Sequence, residues 1–158
     1  MALELSVDDP AVPDVRALLQ QHLALMNAQS PPEDVHALDL DGLRDPAVLF
    51  FSCRSNRELL AVGALKLLDP DHAEVTSMHV AEAARGRGIS RAVLAHLLDV
   101  ARQRGVQRVS LETGSQDEFA PARALYLSAG CEPCGPFGAY ALSEASVFLT
   151  LDLCASTR

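Results

Sequence analysis

The segment Arg85-Gly86-Arg87-Gly88-Ile89-Ser90 carries the most distinctive chemistry in the chain. Glycine lets backbone approach a ligand closely, because no Cβ stands in the way. If a helix begins just after Gly88, its first N–H groups lack intrahelical acceptors and its macrodipole adds partial positive charge there. With Arg85, Arg87 and Arg91 alongside, the segment is a cradle for a pyrophosphate. Two other phosphate motifs fit worse. A Walker loop needs Lys after its last glycine, and Ile89 stands there. A dinucleotide fingerprint starting at Gly86 meets Arg91 where its third glycine belongs. The remaining alternative is a glycine-rich connector ahead of an Arg-bearing surface helix. Cys131 and Cys134 have ligand-like spacing, but no second such pair and no nearby His accompanies them. With Cys53 and Cys154 they read as buried or idle thiols of a reducing cytoplasm, and no metal is expected.

A cradle of this kind needs a strand before it and a helix after it. Residues 73–80 read as that strand, closing an antiparallel meander begun by the apolar runs 47–53 and 59–68, with turns at Ser55-Asn56-Arg57 and Asp69-Pro70-Asp71. Beyond Gly88 a helix is predicted through Arg104, because Ile89, Val93, Leu97 and Val100 recur at helical spacing beside Leu94, Leu98 and Ala101. Gly105 suits the position just past a helix end. Residues 106–113 alternate Val109, Leu111 and Thr113 against Arg108, Ser110 and Glu112, as a strand does. A short helix over 120–129 follows, with Pro121 in its first turn and Phe119, Ala122, Tyr126 and Ala129 on one face. Residues 146–153 read as a last strand. Toward the N-terminus, 3–7 reads as a strand, 14–27 as a helix and 33–43 as a weaker helix after the Ser30-Pro31-Pro32 break.

Composition narrows the function classes. The chain has 158 residues, enough for one domain spanning 1–158 with a real core. Its 13 Lys and Arg against 21 Asp and Glu give a net charge of −8, which argues against nucleic acid as a partner. The balance leans towards cationic small molecules. No basic start precedes an apolar run and no apolar stretch is long enough to span a bilayer, so a cytoplasmic protein with no membrane partner is expected.

Between a strand and a long helix, Arg85, Gly88 and Ser90 fill the places of a known signature: Arg or Gln, two residues, Gly, one residue, then Gly or Ala. The chain thereby resembles the GNAT superfamily of N-acetyltransferases, with Ser90 departing at the last position. The similarity runs from about Leu49 to Leu153. It continues in Leu111-Glu112-Thr113-Gly114, in Pro121-Ala122-Arg123-Ala124-Leu125-Tyr126 and in Ala129-Gly130, which look like the family's fifth strand and fourth helix. Residues 1–45 match only in helix placement. The resemblance implies an α/β (α+β) fold: a central mixed, largely antiparallel sheet of roughly six to seven strands flanked by about four helices. It implies acetyl-CoA as cosubstrate, a core for it over about residues 73–130, a small-molecule or peptide amine as acceptor, and a homodimer as a family-level expectation.

The same resemblance assigns roles. The amides of Met78, His79 and Val80 would bind the pantetheine arm and the acetyl carbonyl; those of Gly86, Arg87, Gly88, Ile89 and Ser90, beside Arg85, would take the pyrophosphate. Tyr126 matches the tyrosine that commonly protonates the departing thiolate, and Glu74 the strand Glu that some members use as general base. Phe119 stands where many members carry Asn. Chemistry gives a reason for a base: an amine attacks only when neutral, and a Lys-like amine of pKa ~10.4 is neutral about once in a thousand at pH 7.4. His79 is a second candidate, with a pKa nearer neutrality. Each residue has a plainer alternative: Glu74 as a strand-start carboxylate, His79 as a packed or lining side chain, Tyr126 as part of an apolar face. The loop Cys134-Gly135-Pro136-Phe137-Gly138-Ala139-Tyr140 reads as an acceptor-site wall touching substrate through Phe137 and Tyr140, or as an ordinary connector. A non-catalytic acyl-CoA sensor of the same fold is the alternative function.

Overall fold

Asn56 and Arg57 both have positive φ, 50° and 71°, and close a two-residue hairpin turn whose twist matches its strands. That turn joins β2 (Val48–Ser55) to β3 (Glu58–Asp69), and Pro70-Asp71 joins β3 to β4 (His72–Val80). Asp69 fixes the second turn by accepting the Asp71 amide at 2.8 Å. This computed structural model describes residues 2–29, 40–138 and 140–153. Ahead of the meander lie β1 (Glu4–Val7), α1 (Pro13–Gln29) and α2 (Leu40–Leu43). After it come α3 (Ile89–Gln103), β5 (Arg108–Gly114), α4 (Ala120–Ser128), β6 (Glu132–Pro133) and β7 (Ser146–Asp152).

The seven strands form one sheet in the order β1-β2-β3-β4-β5-β7-β6. Every neighbouring pair is antiparallel except β4–β5. The mixed, largely antiparallel architecture expected from the sequence is therefore present. So are the strand over 73–80 and the helix after Gly88. Residues 33–39 of the weaker N-terminal helix lie outside the described residues; Leu40–Leu43 is helical. The two-residue strand β6 had no periodicity to reveal it and forms because Glu132 and Pro133 pair with Thr150 and Leu149.

Period-2 alternation sends the sheet's residues to two layers. On one face Ala61, Leu65, Val75, Val109 and Leu149 pack against the α3 stripe of Ile89, Val93, Leu94, Leu97, Leu98 and Ala101. On the other, Phe50, Val62 and Ala64 pack against Val15, Leu18 and Leu19 of α1. Leu97 is fully buried, so truncating it to Ala should cost about 2–5 kcal/mol. At Gly63, an added Cβ would come 2.8 Å from Val93 Cγ1; the missing side chain lets α3 lie close on β3. Residue 110 differs from the simple alternation of β5: Ser110 is buried rather than outward-facing. Phe137 closes over that face, its ring 5.9 Å from those of both His72 and Phe148. No described helix is long and apolar enough to cross a membrane.

Candidate active site

β4 and β5 pair only from His72–Arg108 to Glu74–Ser110, although β4 continues to Val80 and β5 to Gly114. Past Glu74 the parallel strands part, and a wedge opens in the middle of the sheet. A bulge marks the same place. Val62 pairs with His79 and Ala64 with Thr76, so Ser77 and Met78 together face the single residue Gly63. Bulged strands bend, which carries β4 away from its neighbour. Ser77 takes up the extra residue with φ of 57°, and its buried hydroxyl has no hydrogen-bond partner.

The bulge also decides where the backbone points. Ala81 donates its N–H to Leu60 O at 2.8 Å. Antiparallel pairing alternates, so His79 directs its backbone groups at β3 and Val80 directs its own into the wedge. At the far end of β4, a short 3-10 turn over Glu82–Ala84 leads into the Arg85–Gly88 loop. Gly86 and Gly88 have φ of 79° and 75°, and nothing lies within 4 Å of where a Cβ would stand. Ile89 is buried and anchors the helix, while Arg85, Gly86, Arg87 and Gly88 are exposed and Ser90 is half-buried. The first turn of α3 thus presents backbone N–H groups beside two exposed arginines, which is the donor set a pyrophosphate needs.

Two cavities occupy the wedge, and both are lined by Met78, Ala122 and Tyr126. One, of about 180 Å³, is walled by His79, Val80 and Ser90 towards the N-terminus of α3. The other, of about 120 Å³, is walled by Glu74, Ser77, Glu112 and Tyr140. At the junction the Tyr126 hydroxyl points at Met78 Sδ, 3.9 Å away. Burial, with smaller contributions from Cys131 and Glu112, pushes the Tyr126 pKa up to about 12. It is therefore protonated at neutral pH. Pro121 opens α4 and Arg123 holds it to the end of β5, donating to Gly114 O at 2.6 Å and Gln116 O at 2.9 Å.

In the second cavity the buried Glu74 carboxylate accepts a hydrogen bond from the Tyr140 hydroxyl. Burial and the Glu74 charge raise the Tyr140 pKa, keeping that proton on the phenol. Glu112 accepts from Ser146 Oγ at 2.7 Å. His79 faces His22 of α1 across 3.2 Å, Nδ1 to Nδ1. Burial lowers both imidazoles, His22 to about 4 with help from His79, and His79 with help from Arg85. Cys53, Cys131 and Cys134 are free thiols, and burial pushes Cys131 up to about 11. Cys154 lies outside the described residues.

A model described as the Acetyltransferase (GNAT) family matches residues 15–130. The chain belongs to the GNAT acetyltransferase family. It is an acyltransferase, similar over most of its length to proteins that carry that name. It is 45% identical to the uncharacterized N-acetyltransferase YedL of Escherichia coli, covering 95% of this chain and 94% of that one. It is 42% identical to the uncharacterized N-acetyltransferase YsnE of Bacillus subtilis, covering 96% of this chain and all of the relative. Among solved structures, a Klebsiella pneumoniae protein provisionally described as an acyl-CoA N-acyltransferase matches with TM-score 0.81 and 26% identity, covering 96% of this chain and 97% of that one. A Bacillus subtilis acetyltransferase solved in complex with CoA shares the fold at TM-score 0.72 and 16% identity, with coverage of 96% and 99%.

Six of the residues nominated from the GNAT resemblance line the two cavities of the wedge, but the amide of His79, expected there on the pantetheine arm, is turned to β3 by its pairing with Val62. Met78, His79, Val80, Ser90 and Tyr126 line the first cavity, and Glu74 lines the second. Sequence reasoning gave no site role to Ser77, Glu112 or His22. Glu112 carried a usable signal, since it has the alternation of an outward strand residue, but the pairing of Glu74 with Ser110 is what puts both carboxylates on one face. Ser77 carried none, because a bulge leaves no mark on periodicity.

Proposed function

We propose that this GNAT protein transfers the acetyl group of acetyl-CoA to a primary amine by direct attack in a ternary complex. The observation that carries the reading is the pair of cavities meeting at Met78, Ala122 and Tyr126, one reaching the N-terminus of α3 and the other reaching Glu74. In this reading acetyl-CoA supplies an activated thioester. The amides of Gly86, Arg87, Gly88, Ile89 and Ser90, with Arg85, hold its pyrophosphate. Met78, His79 and Val80 line its pantetheine arm, and the inward Val80 N–H stabilises negative charge developing on the carbonyl oxygen.

The proton balance assigns the remaining groups. The C–N bond forms as the C–S bond breaks; one proton leaves nitrogen and one reaches sulfur. Glu74 receives the first, directly or through a water, and Tyr126 supplies the second from a hydroxyl that burial keeps protonated. The neutral His79 imidazole lines the path and shares its Nδ1 hydrogen bond with His22.

The test is release of free CoA thiol from acetyl-CoA with a panel of primary amines, alongside a thermal melt. Acetyl-CoA at about 100 times its Kd should stabilise the fold by roughly 2.7 kcal/mol. No thiol release with any amine, together with no thermal shift at millimolar acetyl-CoA, overturns the reading.

A further inference from the structure

Tyr140 reaches the site from the loop between β6 and β7. The loop turns at Phe137, where the Tyr140 N–H donates to Phe137 O at 3.1 Å and Gly138 has φ of 56°. Two rings then fix the phenol: that of Phe137 stands 5.1 Å away and that of Phe148 on β7 stands 5.6 Å away, centroid to centroid. Held in this way, the Tyr140 hydroxyl donates to Glu74 Oε2 on the central strand β4. Glu74 is only 6% exposed, and burial opposes charge on a carboxyl group. The other groups around it pull both ways. Glu112 of β5 lines the same cavity and, as a second carboxyl, works against ionisation. Lys66, the register partner of Glu74 on β3, and Arg108, the partner of His72 on β5, work for it. His72 is engaged with Ser110 Oγ at 2.7 Å. His22 of α1 and Tyr126 of α4, on the remaining walls, are uncharged at pH 7.

A buried tyrosine hydroxyl needs an acceptor, and any backbone carbonyl would serve. Here it meets the one carboxylate assigned a proton-transfer role, and a donor on a carboxylate favours its ionised form. We propose that Tyr140 is a positioning residue for acetyl transfer: its hydroxyl orients the Glu74 carboxylate and holds it ionised, so that Glu74 can take the amine's proton near neutral pH. Tyr140 acts through Glu74 and not on the reacting atoms, so its role rests on the reading of Glu74 as the base.

Tyr140→Phe tests this, because it keeps the ring against Phe137 and Phe148 and removes only the donor. The first readout is the titration of Glu74 itself, followed by NMR of isotope-labelled glutamate carboxyl carbons, with Glu74→Gln identifying the signal. Its midpoint should rise in Tyr140→Phe by roughly one to two pH units, the range of hydrogen bonds to charged groups. The second is the ratio of kcat/KM for thiol release, Tyr140→Phe over the original enzyme, measured with one primary amine across pH. The amine's own titration cancels in that ratio. It should stand near one at high pH and fall to about a tenth to a hundredth at low pH. In a Glu74→Gln background the Tyr140→Phe change should leave the pH dependence as it was. A tyrosine that only fastens the loop gives instead a lowered Tm and a ratio that is flat with pH. A Glu74 midpoint that does not move overturns the role of Tyr140 and leaves Glu74 standing as base. A midpoint that moves while the ratio stays flat overturns Glu74 as base, and the positioning role with it. Absence of turnover with every primary amine overturns the transfer reading and the positioning role together.

Discussion

His22 Nδ1 on α1 and His79 Nδ1 on β4 lie 3.2 Å apart, with ring centroids 4.9 Å apart. One nitrogen must donate and the other accept, so the two rings cannot both be protonated. A proton on either ring brings a charge into a half-buried site, and a second proton leaves no acceptor between them.

Acid sensitivity follows from the burial of this pair. His22 has a folded pKa near 4, against about 6.5 in the unfolded chain, and His79 shifts in the same direction. Between those values the unfolded state binds more protons. The stability contribution is therefore complete above about pH 6.5 and is lost as pH falls towards 4. For His22 the loss is at most about 3 kcal/mol. Urea melts from pH 7 to 4 should show this slope, and His22→Gln should flatten it. An unaltered slope in that variant assigns the acid loss to other groups.

Gly88→Val should remove cofactor binding while leaving a folded protein. The backbone there has φ of 75°, which a β-branched residue adopts only at a cost of roughly 1–2 kcal/mol, but no atom stands within 4 Å to clash. The side chain projects instead into the space a pyrophosphate would use. The expected result is a modest drop in Tm and loss of the acetyl-CoA thermal shift. A full shift in the variant removes Gly88 from the binding loop.

Gly114→Ala should destabilise the protein by crowding two side chains. An added Cβ would stand against the Phe119 ring and 2.6 Å from Gln116 Oε1, so both side chains must move. Overpacking of this sort typically costs about 1–3 kcal/mol. Phe119 lines the cavity that holds Glu74, so KM for the amine should change together with stability. In a double-mutant cycle with Phe119→Ala the two losses should fall short of additivity. Strict additivity would show that the ring and the glycine do not press on each other.

Glu74→Gln should lower kcat/KM most near neutral pH and recover in part at high pH, where the amine loses its proton to solvent. Gln keeps an oxygen that the Tyr140 hydroxyl can reach, so the local packing survives. A pH–rate profile parallel to that of the original enzyme removes Glu74 from the base role.

Tyr126→Phe should lower kcat by about 10²–10⁴-fold and leave KM for acetyl-CoA nearly unchanged. The ring stays in its apolar setting. The lost hydroxyl gives up only a 3.9 Å contact to a thioether, a weak acceptor, so Tm should scarcely move. The kinetic loss should shrink with an acyl donor whose thiol is more acidic. Unchanged kcat in Tyr126→Phe excludes the hydroxyl as proton donor.

The sequence alone determined most of the elements and the glycine–arginine loop ahead of α3. Helical recurrence fixed α3 because Ile89, Val93 and Leu97 must share one face to be buried, and Gly86 and Gly88 marked the loop because only glycine adopts its backbone freely. Glu74 and Tyr126 were nominated through the family resemblance, Glu74 by its distance before Arg85 and Tyr126 by its place in α4. Pairing and register belong to tertiary structure. Nothing local told that β4 and β5 would pair at three residues and then part, that Ser77 and Met78 would share Gly63, or that Phe137 would pack beside His72 and Phe148. The two carboxylates and the histidine pair arise from contacts between residues distant in sequence: Glu74 with the β5 face that carries Glu112, and His22 with His79. Periodicity reports which face of an element is apolar, and it is silent on which element that face will meet.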